Sequence, residues 1–291
     1  MEKKQVLWLS DFNCATGFAT VAHNIMEQLL KTGEYEFDVI GINHIGEPYD
    51  FKKWPFSIYP ARDLLKARTD KRYADPFGRQ RFLDLLSKGK YDIVFTLQDT
   101  YIIEILASKI MQAKNILNFS WIFYYPVDGK VKDSWINNSV NLADIPVAYT
   151  EFGKKETMRV NPSVRPRVIY HGVNTKNFYP IDDISGFRKA YFQDHADKFI
   201  VTNVNRNQPR KDIPRTIAAF AKFHQKRPDS VLYLHMKEND FGGNIVEMAA
   251  NCGLDPAKDV LFPSDFNECD GYPIEILNMI YNASDVIVST T

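Results

Sequence analysis

Cysteine is scarce in this sequence. The 291 residues include only three cysteines, Cys14, Cys252 and Cys269, which are far apart and form neither a CxxC motif nor a Cys/His cluster. Disulfide scaffolds and zinc modules depend on several closely spaced cysteines, so neither class fits. A reducing compartment fits best, and we expect the protein to be cytoplasmic.

The chain also lacks an excess of charge of either sign. Lysine plus arginine (36) equals aspartate plus glutamate (36), so the basic balance typical of a nucleic-acid-binding domain is absent. Long apolar runs are missing as well. The richest window, 116–127, contains Asn118 and Ser120 and is shorter than the roughly 18 residues that span a bilayer. We therefore expect a soluble or at most peripheral protein.

What is present is an ordinary globular composition, with 45% hydrophobic and 25% charged residues. Such a chain can build a packed core, and its length predicts about two domains of roughly 150 residues each. Its first apolar stretch, 6–9, is too short for a signal sequence and closes at Asp11. We interpret this stretch as a buried first strand.

Apolar periodicity in the first half predicts alternating strands and helices. Phe18, Val21, Ala22, Ile25 and Leu29 lie on one face of a predicted helix. The pair Thr16-Gly17 opens this helix, and the stretch 31–33, which closes on Gly33, ends it. Strands are predicted at 6–11, 37–42, 93–97, 116–123 and 146–149, and further helices near 78–88, 100–113 and 151–160. Short apolar strands separated by helices are typical of a parallel sheet covered on both faces.

A turn-rich, acidic stretch between about 171 and 198 marks a boundary, and a second α/β round follows it. Its predicted strands are 199–204, 231–235, 260–262 and 285–289, and its predicted helices are 187–192, 213–225, 243–252 and 273–282. We expect a first domain at 1–172, a hinge or linker at 173–197, and a partial second domain at 198–291.

Four motifs in the second half resemble those of retaining GT-B glycosyltransferases, the large family-4-like group. Residues 168–174 read V-I-Y-H-G-V-N and 178–180 read F-Y-P, similar to the family's V-I-P-N-G-V-D-x-x-x-F-x-P signature. The blocks 205–220, 260–262 and 281–288 resemble three further family motifs in the same order. The resemblance implies an α/β fold of two Rossmann-like doubly wound domains, the second incomplete at its C-terminus. It also implies transfer of a sugar from a nucleotide diphosphate-sugar with retention of the anomeric configuration.

Arg206 and Lys211 are the leading site candidates. They flank a predicted strand-to-helix loop, where cations and a helix N-terminus can stabilise the charge that grows on a departing diphosphate. The resemblance implies that both residues contact the diphosphate of a UDP-, GDP- or similar sugar donor and act in catalysis, without a metal. The alternative is that they are solvated loop charges.

The resemblance implies further site residues. Gly17, Lys237, Phe262 and Ser264 would line the donor site, and Asp128 would support catalysis by orienting a sugar hydroxyl or the anomeric carbon. Gly17 and Asp128 have plainer alternatives, an ordinary helix-entry turn and an Asp-Gly turn. The acceptor is open between a glycan, a lipid-linked molecule, a protein and modified DNA.

Two features favour other interpretations. The family's two spaced glutamates would follow the strand that ends at 289–291, so we expect a truncated chain, with an inactive nucleotide-binding GT-B module as the alternative.

Segment 62–81 has seven basic residues against three aspartates. It is a candidate contact for a membrane surface, a phosphate-bearing acceptor or DNA, and motivates a third interpretation, a glycosyltransferase acting on modified DNA bases. A solvated helix face or a flexible insertion is the plainer explanation.

Overall fold

The computed structural model describes residues 2–264 and 271–290. The chain divides into two compact units, Met1–Gly172 and Val173–Thr291. Within the described residues, no helix is long and apolar enough to cross a bilayer.

The described part of the first unit contains one parallel sheet of seven strands in the order β3-β2-β1-β4-β5-β6-β7. The strands are β1 (Lys4–Asp11), β2 (Tyr35–Ile42), β3 (Ser57–Pro60), β4 (Ile93–Leu97), β5 (Ser120–Tyr125), β6 (Ile145–Ala148) and β7 (Arg167–Val168). The helices are α1 (Gly17–Thr32), α2 (Arg79–Leu86), α3 (Thr100–Lys114), α4 (Asp133–Asn137) and α5 (Glu151–Val160).

Alternating side chains of β1 show that both faces of this sheet are covered. Leu7 and Leu9 belong to one hydrophobic core, together with buried residues of α2 and α3. Val6 and Trp8 belong to a second core, which includes buried residues of α1. Because successive strand residues point to opposite faces, the helices lie on both sides of the sheet, as in a doubly wound fold.

Helix α1 has clear start and stop signals. Thr16 precedes it in an extended conformation, and its Oγ1 accepts a hydrogen bond from the backbone N of Ala19. Gly33 follows the helix with φ of 70°, a left-handed conformation that glycine adopts readily. The helix therefore begins and ends where the sequence pattern predicts.

The second unit has a smaller parallel sheet in the order β12-β9-β8-β13 and an antiparallel hairpin, β10-β11, in its described part. The strands are β8 (Phe199–Val204), β9 (Ser230–His235), β10 (Asn239–Asp240), β11 (Gly243–Asn244), β12 (Val260–Leu261) and β13 (Val286–Ile287). The helices are α6 (Ser185–Phe192), α7 (Ile213–His224), α8 (Ile245–Asn251) and α9 (Ile274–Ala283). Buried residues of α7 and α8 share one core, and those of α6 and α9 share another.

Helix α6 lies inside the stretch 173–197 that the sequence pattern assigns to a linker. Its Arg188 donates hydrogen bonds to the carbonyl oxygens of Ala196, Lys198 and Ala283 and pairs with Asp285 at 2.8 Å. These contacts attach the helix to the sheet and to α9, so this part of the stretch is packed within the second unit.

Several predicted boundaries differ from the observed ones, and two of these differences have identifiable reasons. Strand β5 begins at Ser120 rather than at 116, because the preceding residues continue the turn after α3 and leave Ile116 86% exposed. Helix α8 begins at Ile245 rather than at 243, because Gly243 has φ of 102° within the hairpin. The side chain of Asn244 then caps the helix by accepting from the backbone N of Val246 at 3.0 Å.

Candidate functional site

The loops that follow β8, β9 and β12 leave the same edge of the second unit's sheet, since these strands are parallel. Arg206 and Lys211 lie in the first of these loops, and Lys237 lies in the second. Phe262 and Ser264 follow β12. The carboxyl edge of an open parallel sheet is where such folds bind ligands. The topology brings five of the six predicted donor-site residues to this edge, whereas the sixth, Gly17, lies in the first unit.

The loop 205–212 is fixed at its second half. Residues Pro209–Lys211 form a 3-10 turn, and Asp212 takes a left-handed conformation with φ of 47° before α7 begins. The hydroxyl of Thr290 donates to the carbonyl oxygen of Lys211 at 2.7 Å and lies 3.1 Å from that of Asp212. These bonds hold the backbone of the half-buried Lys211 against the residues that follow β13.

Arg206 is oriented by the hairpin that follows β9. Its Nε donates to a carboxylate oxygen of Asp240 at 2.9 Å, and its guanidinium carbon lies 5.9 Å from the centre of the Phe241 ring. The hydrogen bond from Arg206 lowers the pKa of Asp240. The Arg206 side chain is 54% exposed, so a partly solvated cation is held at the sheet edge by a residue distant in sequence.

Asn207 attaches the hairpin to the Arg206 loop. Its buried side-chain amide donates to the carbonyl oxygen of Gly243 at 2.8 Å, and the backbone carbonyl oxygen of Asn207 accepts from the backbone N of Gly242 at 3.0 Å. A Cβ at Gly242 would lie only 2.1 Å from Asn207 Oδ1. The close approach of the two loops therefore requires glycine at 242.

Sequence reasoning did not identify Asn207, Asp240 or Gly242 as site residues. The resemblance places a glycine-rich turn near Lys237, where this chain has none, yet Gly242 and Gly243 follow a few residues later. This glycine pair after β9 is the signal that could have revealed the hairpin.

Phe262 and Ser264, the two donor-site candidates that follow β12, have different surroundings. Phe262 is partly buried against the core beneath α7 and α8. Ser264 is exposed at the end of the described stretch. Phe262 thus has a packing role that does not depend on a ligand.

At the carboxyl edge of the first sheet, a buried carboxylate is surrounded by hydrogen-bond donors. Asp11 accepts from the hydroxyl of Thr16 at 2.6 Å, from the amide of Asn43 at 3.1 Å and from the amide of Gln98 at 3.3 Å. Burial raises the pKa of Asp11 despite these bonds. Sequence reasoning does not identify Asp11 as a site residue, because the pattern marks it only as the end of the first strand.

Gly17 is the first residue of α1 and lies close to this carboxylate in the chain. Its φ is not positive, and a Cβ added there would meet no atom within 4 Å. Neither the backbone nor a neighbouring residue therefore requires glycine at this position.

Asp128 lies in the loop after β5, where its side chain is exposed. Its carboxylate makes no hydrogen bond or ion pair with the described part of the chain. The sheet edge nearby also has Tyr149, whose buried hydroxyl has no partner among the described residues and whose pKa is raised by burial. The ring centre of His171 lies 4.1 Å from that of Tyr149, and desolvation lowers the pKa of His171.

The basic segment 62–81 is partly neutralised within the first unit. Arg81 pairs with Asp63 at 2.5 Å, Arg72 with Asp70 at 2.6 Å and Arg79 with Asp75 at 2.6 Å. Each of its three aspartates thus holds an arginine. Among the residues that the structure describes, no group of three or more His, Cys, Asp or Glu side chains is arranged to hold a metal ion.

Solved structures with this fold include glycosyltransferases. A glycosyltransferase from Rickettsia africae ESF-5 is similar to this chain, with a TM-score of 0.68 at 17% identity. The superposition covers 100% of this chain and 74% of the Rickettsia chain. Anabaena HepE in complex with UDP-glucose gives 0.65 at 16% identity and covers 99% and 74%. The trehalose-6-phosphate synthase OtsA gives 0.63 at 14% identity and covers 99% and 78%. No family model and no curated protein matches the sequence.

At these identities the likeness establishes the fold. The two α/β units, each built on a doubly wound parallel sheet, and the almost complete coverage of this chain define the GT-B fold class. The fold that the sequence resemblance implies is therefore confirmed.

Proposed function

We propose that this protein is a glycosyltransferase that binds a nucleotide diphosphate-sugar through the second unit and transfers the sugar with retention of configuration. The observation that carries the proposal is the placement of Arg206 and Lys211 in one strand-to-helix loop at the carboxyl edge of the sheet. The same fold occurs in a structure that contains UDP-glucose.

The proposed chemistry follows from these two cations. As the glycosidic bond breaks, negative charge grows on the leaving diphosphate, and cations already in place stabilise that charge. Arg206 would engage phosphate oxygens in a fork, and Asp240 would keep its guanidinium in position. Lys211 would add a point charge beside the N-terminus of α7. In this proposal, these groups take the role that a metal ion has in other transferases.

We propose that the first unit handles the sugar and the acceptor. Asp128 would orient a sugar hydroxyl or the anomeric carbon, and the open space above Gly17 supports approach of a ligand to the start of α1. The acceptor would be a hydroxyl-bearing glycan, lipid-linked molecule or protein. For location, a reducing cytoplasm stays our expectation, because the cysteines are few and far apart.

Isothermal titration calorimetry with UDP and GDP tests the donor site. We expect one of the two nucleotides to bind, and Arg206→Ala or Lys211→Ala to weaken binding about ten-fold to a hundred-fold, as for a lost charge-assisted hydrogen bond. The matched control is Arg210→Ala, because Arg210 is an exposed cation in the same loop. Chelation of divalent metals is expected to leave the affinity unchanged.

Equal affinities of the Arg206, Lys211 and Arg210 variants would reject this site, and loss of binding on chelation would reject its metal independence. Donor turnover, followed as release of the nucleotide from its sugar, separates the two leading interpretations. Binding without turnover across the proposed acceptor classes would favour an inactive nucleotide-binding module. Transfer to duplex DNA with modified bases would instead favour the DNA-modifying interpretation.

A further inference from the structure

The basic loop, residues 62–73 of the first unit, has a fixed shape. The backbone N of Asp63 donates to the carbonyl oxygen of Tyr73 at 2.9 Å and closes the loop. The Asp63 carboxylate accepts from the backbone N of Lys66 at 3.1 Å and pairs with Arg81 of α2 at 2.5 Å. The hydroxyl of Tyr73 donates to Asp84, also on α2. These bonds hold the two ends of the loop against one helix.

This ordered loop exposes two adjacent leucines. Leu64 is 65% exposed and Leu65 is 74% exposed. Single exposed apolar residues are common on protein surfaces. A neighbouring pair on a fixed loop, however, keeps its apolar area in water, and covering that area with a partner is energetically favourable.

The same loop carries four exposed cations. Arg62, Lys66, Arg68 and Lys71 are all exposed. Both aspartates of the loop are already engaged by arginines, Asp63 by Arg81 and Asp70 by Arg72. The positive charge of the four exposed cations is therefore not cancelled by the acidic residues of the loop itself.

We propose that the basic loop docks the protein on an anionic lipid bilayer, with Leu64 and Leu65 entering the interfacial region and the four cations contacting lipid headgroups. A bilayer of this kind offers both features that the loop requires, an apolar layer and a negatively charged surface. DNA matches only the charge. Nucleic-acid stacking would also need accessible aromatic rings, whereas the Tyr73 ring lies beneath Lys66 at 4.8 Å and its hydroxyl is bonded to Asp84.

Co-sedimentation of the full chain with vesicles tests the proposal. We compare vesicles of phosphatidylcholine alone with vesicles of equal parts phosphatidylcholine and phosphatidylglycerol. Binding is expected only to the anionic vesicles and is expected to fall as salt rises. Arg68→Glu/Lys71→Glu should weaken partitioning by well over ten-fold, since removing one cation near an anionic surface already costs about five-fold. Leu64→Ser/Leu65→Ser should weaken it about ten-fold or more.

Two matched controls isolate the loop. Lys109→Glu/Lys155→Glu makes the same charge change at exposed lysines of the first unit outside the loop. Ile116→Ser removes an apolar side chain that is 86% exposed. Both controls should partition like the unchanged protein, and circular dichroism should show that every variant is folded.

Three results would overturn the proposal: no binding to anionic vesicles, equal losses in the loop variants and their controls, or no effect of the leucine substitutions. If duplex DNA binds in proportion to the loop charges while vesicles do not, the loop is a polyanion contact instead.

Discussion

At the scale of single residues, Gly242 supports the Arg206 site through its lack of a side chain. Gly242→Ala would place a Cβ 2.1 Å from Asn207 Oδ1 and 3.0 Å from the carbonyl carbon of Asn207. Asn207 cannot easily move, because its amide bonds the hairpin. We expect the variant to lose about 1–3 kcal/mol of unfolding free energy and to bind UDP or GDP more weakly.

Thermal unfolding followed by circular dichroism measures this loss. The control is Gly186→Ala, since Gly186 lies within α6 and a Cβ there would meet no atom within 4 Å. Alanine in a helix is expected to stabilise this position by up to about 1 kcal/mol. If Gly242→Ala unfolded at the same temperature as the unchanged protein, the close packing of the two loops would be contradicted.

His23 makes the stability of the first unit depend on pH. Its ring packs against Phe12 and Trp54, and burial lowers its pKa from 6.5 to about 4. Below pH 6.5 His23 is protonated in the unfolded chain but stays neutral in the folded state. The free energy of unfolding therefore decreases as the pH is lowered from about 6.5 to about 4. Over this pH range, His23 alone lowers the free energy of unfolding by about 3 kcal/mol.

Urea unfolding at several pH values between 7 and 4, followed by tryptophan fluorescence, checks this prediction. All four tryptophans lie in the first unit, so their emission reports that unit. His23→Phe should flatten the pH dependence, with part of the remaining slope from His171, whose pKa burial also lowers. His235→Phe, in the second unit, should leave the tryptophan signal unchanged. An unaltered slope in His23→Phe would refute the assignment.

At the scale of helices and strands, local sequence pattern predicts most of the fold. Helix α1 was predictable from its apolar face and from Thr16 and Gly33 at its ends, because these signals act over a few residues. The short strands β3 and β7 were not, since two to four residues carry no period. The hairpin β10-β11 depends on contacts with Asn207, which lies about thirty residues earlier in the chain.

The residues of the candidate site differ in the same way: some can be located from local sequence pattern, and others only from contacts between distant loops. The position of Arg206 and Lys211 in one strand-to-helix loop was predictable, because both lie within a contiguous motif that resembles a known family. Their role at a donor site stays a prediction. Asp240 was not, because its role arises only when the loop after β9 is packed beside the loop after β8. Asp11 was missed for a related reason: its donors Thr16, Asn43 and Gln98 come from three different loops that parallel strands bring to one edge.

At the scale of the whole molecule, each unit has its own hydrophobic cores. The buried residues of the first two clusters lie between 6 and 164, and those of the other two lie between 192 and 283. We therefore expect a fragment of residues 1–172 to fold alone and to unfold cooperatively, since about 170 residues suffice for a stable domain. Urea titration with tryptophan fluorescence tests this.

The matched control is a fragment of residues 1–150. It lacks α5 and β7, and with them buried Val164 and the hydroxyl of Thr157, which bonds Tyr125 at 2.9 Å. We expect this shorter fragment to lose cooperative unfolding. A fragment 1–172 that shows no transition, or two fragments that behave alike, would contradict the independence of the first unit.

The position of β13 has a practical consequence for work with the purified chain. Strand β13 is an outer strand of its sheet and pairs with β8 over two residues, and its Val286 and Ile287 are 39% and 45% exposed. The neighbouring Asp285 is engaged by Arg188 and by the backbone N of Ile200. Because Val286 and Ile287 present apolar surface to water, Ile287→Lys is the substitution that we expect to raise the solubility of the purified chain.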